Sequence, residues 1–288
     1  MATLAVPQDG GDALAPRQAA PFLKWAGGKR QLLPELLKDA PAKISTYYEP
    51  FVGGGALFFA LAARGRFRRA VLADCNQDLI DCYQAIQSDV KGVIAALRGL
   101  SVGSDEYYEL RAQSPAKLDP AERAARTIYL NKVGFNGLYR VNSRGLFNVP
   151  YGRHKNPVVC DVPRLLAAAS ALRKVKLLRQ DFEQTVATAK PADFVYFDPP
   201  YVPVSATAYF TAYAESPFGP TEQGRLAQVL RRLRERKVPA LLSNSDCSMT
   251  RDLYDGLELR SVAVRRNINS VATKRGPVKE VLVKSFPY

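Results

Sequence analysis

At 288 residues the chain is long enough to bury one large core or two modest ones, and its 47% apolar content contains no run long enough to cross a bilayer. Its 41 basic residues against 27 acidic ones give a formal net charge of +14, a surplus that fits contact with a polyanion as well as plain solubility. Four cysteines without a C-x-x-C pair, and the single histidine His154, argue against a zinc site, so no metal is expected, and free thiols suit the reducing cytoplasm.

In chain order, residues 1–20 lack the basic and apolar blocks of a secretory signal, and their Gly, Ala, Pro and Gln content reads as a flexible N-terminal tail. Strands are expected over Tyr47 to Pro50 and Ala70 to Ala73, with a glycine turn and a helix from Leu57 between them. Helical patterns follow at Asp89 to Leu97 and Glu122 to Val133, and then a polar, Gly- and Asn-rich segment without periodicity, Asn136 to Lys155. Its length and aromatic content suit a structured functional loop. Strands return at Val175 to Arg179, Phe194 to Phe197 and Pro239 to Ser243; Leu226, Val229, Leu230 and Leu233 mark one face of a helix before the last of these. Arg231 to Lys237, which ends that helix, reads as a solvated face. Leu257 to Val264 and Val278 to Phe286 look like an antiparallel pair closing the sheet, joined by a polar loop around Asn269 to Pro277. The alternation predicts an α/β sheet domain, discontinuous over 21–75 and 161–288, with a helical insert over 76–160.

Two segments carry chemistry. In Tyr48-Glu49-Pro50-Phe51-Val52-Gly53-Gly54-Gly55-Ala56 a strand runs into glycines and then a helix, and the next strand ends in Asp74, 19 residues beyond Gly55. Glycines let a ligand approach the backbone, and a carboxylate there can accept from ribose hydroxyls. The same pattern also fits a tight strand-to-helix turn with a capping Asp. The spacing is not G-x-G-x-x-G, which disfavours a dinucleotide. In Phe194-Val195-Tyr196-Phe197-Asp198-Pro199-Pro200-Tyr201 an apolar strand ends in a carboxylate, two prolines and an aromatic ring. The prolines remove two N–H donors and leave acceptors, which suits an amine on a flat ring, with Tyr201 stacking on it.

With Tyr48 to Gly55 before it, the motif Asp198-Pro199-Pro200-Tyr201 resembles the amino-methyltransferases of DNA in their alpha arrangement: cofactor glycines first, target recognition next, catalytic motif last. Phe22 to Lys29, Asn136 to Arg140, Gly145 to Gly152 and Ser205 to Tyr213 narrow the resemblance to the DNA adenine methyltransferase (Dam) family, from Pro21 to the C-terminus. The resemblance implies a Rossmann-like S-adenosylmethionine-dependent methyltransferase sheet with an antiparallel C-terminal strand pair and a helical target-recognition insert. It implies S-adenosylmethionine as cofactor and S-adenosylhomocysteine as product. Trp25 and Lys29 would contact the cofactor, with Gly53 and Gly55 near it; Asp74 would hold its ribose, and Asp181-Phe182 would lie beside its adenine. Asp198, Pro199 and Tyr201 would handle a target adenine flipped out of double-stranded DNA.

For recognition, the resemblance implies that Phe135, with Asn136 beside it, fills the gap left by the flipped base; Phe135 equally suits a core aromatic ending its helix. Arg140 would make a bidentate contact to guanine, worth roughly 1–3 kcal/mol of discrimination. Leu138 and Pro150 would meet a thymine methyl, and Lys24 would contact the first guanine. These matches imply GATC. His154 stands where relatives often carry tyrosine, a departure from the pattern. Arg144 and Arg153 would meet phosphates, which position without specifying. A monomer is the simplest expectation. Other readings stay open on these residues: an N4-cytosine methyltransferase, whose motif more often begins with Ser; a protein or RNA methyltransferase, which would more often begin it with Asn; and a sequence-specific DNA-binding relative without catalysis.

Overall fold

A computed structural model of the protein describes residues 18–203, 218–265 and 277–287. The first 17 residues of the expected tail, the Ser205 to Tyr213 stretch and the loop from Asn269 to residue 276 lie outside them. Five parallel strands, β1 (Ile44–Glu49), β2 (Phe67–Asp74), β3 (Val175–Arg179), β4 (Phe194–Phe197) and β5 (Ala240–Ser245), form one sheet with an antiparallel pair, β6 (Glu258–Arg265) and β7 (Pro277–Lys284). The order is β3-β2-β1-β4-β5-β7-β6, with β7 between β5 and β6 and antiparallel to both. All seven predicted strands are present, β3 and β4 with the predicted bounds and the others displaced by a few residues at their ends.

β4 explains why its sequence is continuously apolar. Phe194 and Tyr196 face one side of the sheet with Tyr47, Leu241 and Leu282. Val195 and Phe197 face the other with Tyr48 and Leu242. A strand covered on both faces has no polar face to show. The first side is covered by α1 (Leu33–Asp39), α2 (Ala56–Ala62), α3 (Gln77–Arg98) and α6 (Val162–Leu172), with α4 (Ser104–Ala112) and α5 (Pro120–Val133) beyond. The second is covered by α7 (Phe182–Val186), α8 (Pro220–Glu235) and α9 (Ser248–Leu253). The predicted stripe Leu226, Val229, Leu230 and Leu233 is the buried face of α8. Arg232, Arg234, Arg236 and Lys237 are exposed, as the sequence suggests, and the arginines also bond neighbouring loops. Arg231 donates to the Leu253 carbonyl at 2.7 Å and Arg234 to that of Gly256, Arg236 donates to the carbonyls of Ala187 and Ala189, and Arg232 pairs with Glu183.

α5 begins with Pro120 inside a capping box: Glu122 N donates to the Asp119 side chain, and Asp119 N to the Glu122 side chain. α3 packs on β2, β3 and α6 as well as on α5, so it joins the sheet to the helices that follow it. Beyond α5 the segment from Gly134 to Tyr151 folds back on itself through two antiparallel bridges, Gly134 to Tyr151 and Val141 to Phe147. Strand order reverses between β1 and β4, which creates a crevice at their carboxyl ends where open α/β sheets bind ligands. Among the described residues, no helix is long and apolar enough to cross a membrane.

Candidate active site

The carboxyl ends of β1, β2, β3 and β4 deliver Gly53, Asp74, Asp181 and Asp198 to one edge of the sheet. Asp198 leaves the end of β4 into a largely enclosed site. Its Oδ1 lies 2.7 Å from Lys29 Nζ and accepts from Ser243 Oγ at 3.2 Å. Lys29 also donates to the Gly27 carbonyl at 2.6 Å and lies 4.5 Å from the Tyr201 ring centroid. Ser243 shares a second bond, 2.8 Å, with the buried Tyr196 hydroxyl. A serine has one proton to give. With that proton on an ionised Asp198, the direction is set: Tyr196 donates to Ser243, and Ser243 to Asp198. Burial pushes the Asp198 carboxyl above the usual range, while Lys29 and Ser243 pull it back toward the charged form.

The loop after Asp198 is held from two sides. Gln223, in the first turns of α8, donates to the Pro200 carbonyl at 2.8 Å, and Asn244 of β5 accepts from Val202 N at 2.9 Å. The two amides bond each other at 3.2 Å. Gln223 thus takes the Pro200 carbonyl and not that of Pro199, the one the motif offers to an amine. Tyr201 donates its hydroxyl to Glu280 Oε2 at 3.0 Å, which fixes the ring from β7. Neither Ser243, Gln223 nor Asn244 stands out in the sequence by motif. Their signals are weak: a polar Ser-Asn pair closing an apolar strand, and a glutamine on the apolar stripe of a helix.

The glycine turn is filled from the side. Gly53 (φ +46°) and Gly55 (φ +67°) are left-handed, and a Cβ on Gly53 would come within 2.8 Å of the Trp25 ring. Tyr83 donates to the Gly53 carbonyl at 3.1 Å. Asp74 accepts from Gly53 N at 3.2 Å and from Asn76 N at 3.0 Å, so it braces the turn; burial raises its carboxyl pKa. Asp181 caps α7 by accepting from Glu183 N at 2.9 Å and pairs with Arg225 at 3.0 Å; the Phe182 ring stacks on Phe51 at 5.5 Å. This donor set fits a nucleoside cofactor. The close-approach glycines, a carboxylate at the end of the second strand and an aromatic ring after the third fall along the same edge. Arg225 was not foreseen, and its ion pair leaves Asp181 with a structural duty alongside any contact to a ligand.

Of the seven residues expected to read DNA, all but His154 are exposed, on or beside the Gly134 to Tyr151 segment. Phe135 is 48% exposed and Leu138 39%, which excludes the core reading of Phe135. Asn136 is exposed and left-handed (φ 55°), and Phe135 N donates to the Pro150 carbonyl at 2.9 Å. Arg140 and Pro150 are exposed; Arg140 donates to the Asn148 side chain at 2.7 Å. Lys24 is exposed against Gly137, where an added Cβ would come within 2.6 Å of the lysine stem. His154 bonds the Gly134 carbonyl at 3.1 Å, within its own segment. Asn131 is the unforeseen element: buried at the end of α5, it accepts from Lys24 N at 2.8 Å and donates to the carbonyls of Lys24, at 2.6 Å, and Gly137, at 3.0 Å.

Comparison with known proteins gives one family match and close relatives. The family model of the D12 class N6 adenine-specific DNA methyltransferases matches residues 25–268. The type II methyltransferase M1.LlaDCHI of Lactococcus lactis subsp. cremoris is 40% identical over 274 residues, spanning 92% of this chain and 95% of that protein. The type II methyltransferase M.MjaIII of Methanocaldococcus jannaschii is 38% identical over 288 residues, spanning 93% and 100% respectively. The DNA adenine methylase of Escherichia coli K12 is 40% identical over 270 residues, spanning 92% and 95%.

Proposed function

The chain belongs to the D12 class of N6 adenine-specific DNA methyltransferases, and from that premise we propose that it methylates an adenine flipped out of double-stranded DNA, within GATC, using Asp198, Pro199 and Tyr201. One observation carries the assignment: a carboxylate at the reversal of strand order whose Oδ1 is engaged by Lys29 and Ser243. With Oδ1 so engaged, we assign Oδ2 as the acceptor for an incoming amine.

The N6 lone pair of adenine is delocalised into the ring, so the amine is a poor nucleophile. Asp198 Oδ2 and the Pro199 carbonyl accept hydrogen bonds from its two N–H groups, favour a more tetrahedral nitrogen and localise the lone pair. Bound S-adenosylmethionine supplies an electrophilic methyl group on a positively charged sulfur. Positive charge then develops on the nitrogen, where the same two acceptors stabilise it. Tyr201, fixed by Glu280, presents its face to the base, and Gln223 with Asn244 holds the loop in register. Alignment supplies much of the remaining acceleration. Asp198 need not remove a proton before attack; after it, the cationic methylated nitrogen gives one proton to Asp198 and from there to solvent, and no covalent enzyme adduct forms. Trp25, Lys29, Gly53, Gly55, Asp74, Asp181 and Phe182 frame the cofactor.

Residues 76–160 carry the reading surface, with 21–75 and 161–288 carrying methyl transfer. The exposure of Phe135, Asn136, Leu138, Arg140, Pro150 and Lys24 on or beside one segment supports their roles in filling the flipped-base gap and reading GATC. His154, turned onto Gly134, acts by shaping that segment. The protein is taken as a monomer acting on cytoplasmic DNA. Replacing Asp198 with Ala is expected to abolish methylation while S-adenosylhomocysteine binding, followed by calorimetry, largely survives. Near-normal turnover by that variant would sink the assignment.

A further inference from the structure

Tyr139 lies inside the reading segment, between two residues turned outward, Leu138 and Arg140. Its own side chain is turned inward. The ring stacks on Trp25 with centroids 5.3 Å apart and planes 28° from parallel, and its hydroxyl donates to Asp78 Oδ2 at 2.8 Å. Asp78 belongs to the first turn of α3, the helix that follows Asp74, and Trp25 covers Gly53 and Gly54 of the glycine turn. Asn131 ties the same two backbones together, from Lys24 to Gly137. The cofactor-framing residues and the base-reading residues therefore meet at the stack of Tyr139 on Trp25, with Phe147 of the reading segment edge-on to Tyr139 at 5.7 Å.

We propose that Tyr139 is a positioning residue that couples cofactor binding to DNA reading: its stack on Trp25 and its bond to Asp78 set where Leu138 and Arg140 stand, and a cofactor packed against Trp25 fixes that placement. The inference rests on the functional reading above, since it needs both ligands. Two sites joined in this way change each other's affinity by the same factor. In the wild type, S-adenosylhomocysteine binds more tightly in the presence of a duplex bearing the methylated site, and that duplex binds more tightly in the presence of S-adenosylhomocysteine.

The test is a thermodynamic cycle measured by calorimetry on the full chain, with Tyr139→Leu and Tyr139→Phe beside the wild type. Trp25 is the sole tryptophan of the sequence, so its emission gives a second readout at the stack itself. The expected result is a coupling of about fivefold or more in the wild type. It falls close to one in Tyr139→Leu and to an intermediate value in Tyr139→Phe, which keeps the ring. Adding the duplex without cofactor shifts the Trp25 emission in the wild type and in Tyr139→Phe, and not in Tyr139→Leu. A wild-type coupling near one, an unchanged coupling in Tyr139→Leu, or a Phe variant that behaves like the Leu variant would overturn the link. Failure of the functional reading shows separately, as absence of adenine methylation by the wild type.

Discussion

At the residue scale the site is organised around one carboxylate and the hydrogen bonds that aim it. Ser243 of β5 and Lys29 of the segment before α1 converge on Asp198 Oδ1, and Tyr196 of β4 bonds Ser243 behind it. The pH consequence follows from the sign of the shift. Asp198 must be ionised to accept from the amine, and burial raises its pKa. Methylation therefore falls as pH drops through a value above the ordinary carboxylate range. Replacing Ser243 with Ala removes an interaction that lowers that pKa, so the acidic limb of the kcat profile moves to higher pH. At neutral pH kcat drops about tenfold, the scale of one hydrogen bond to a charged group, with KM for DNA little changed. Tyr196→Phe shifts the limb the same way by less. A kcat profile that Ser243→Ala leaves in place would show that the serine does not act on Asp198. Asp198 and Tyr201 are legible in sequence because they are neighbours on the chain. Ser243, Gln223 and Asn244 reach them only through strand pairing and helix docking, and no local pattern encodes a contact across that span.

At the element scale α3 illustrates what periodicity reveals and hides. The sequence shows a helical pattern over Asp89 to Leu97; the structure has helix from Gln77 to Arg98 with a break at Asp89, whose φ is −144° and ψ 63°. Asp89 Oδ1 accepts from Gly92 N at 2.9 Å, the geometry of a capping residue, so the sequence signal was a true one at an internal joint. Replacing Asp89 with Ala is expected to lower stability by about 1 kcal/mol in urea unfolding, within the range of lost N-caps, while methylation by the folded enzyme is unchanged. A loss below a few tenths of a kcal/mol would mean that the break is held by packing alone. The strands were read more closely than the helices because β4 and β5 are buried on both faces and stand out as short apolar runs. The reading segment has no period to read: its two bridges are isolated pairs, and its shape comes from Tyr107, Arg111 and Asn131 binding its carbonyls from α4 and α5.

At the scale of the whole molecule the described basic side chains differ in how far other groups already engage them. Residues 131–155 carry five basic side chains and no acidic one. The arginines of α8, on the opposite face, are tied to carbonyls and to Glu183. DNA affinity should fall steeply with salt, and Arg144→Gln and Arg153→Gln should each reduce the slope of log K against log salt by roughly one. Arg232→Gln should leave that slope alone; a reduced slope there would place DNA on the wrong face of the sheet. Composition gave the surplus without its location, because net charge has no address until the chain is folded. The central claim is the transfer of a methyl group to a particular base, and the most direct measurement is to incubate duplex DNA with S-adenosylmethionine labelled in its methyl group and map the modified positions. Label is expected on the N6 of adenine within GATC, with little on duplexes in which one base of that site is changed; label on cytosine, equal label on the changed duplexes, or none on DNA would contradict the assignment.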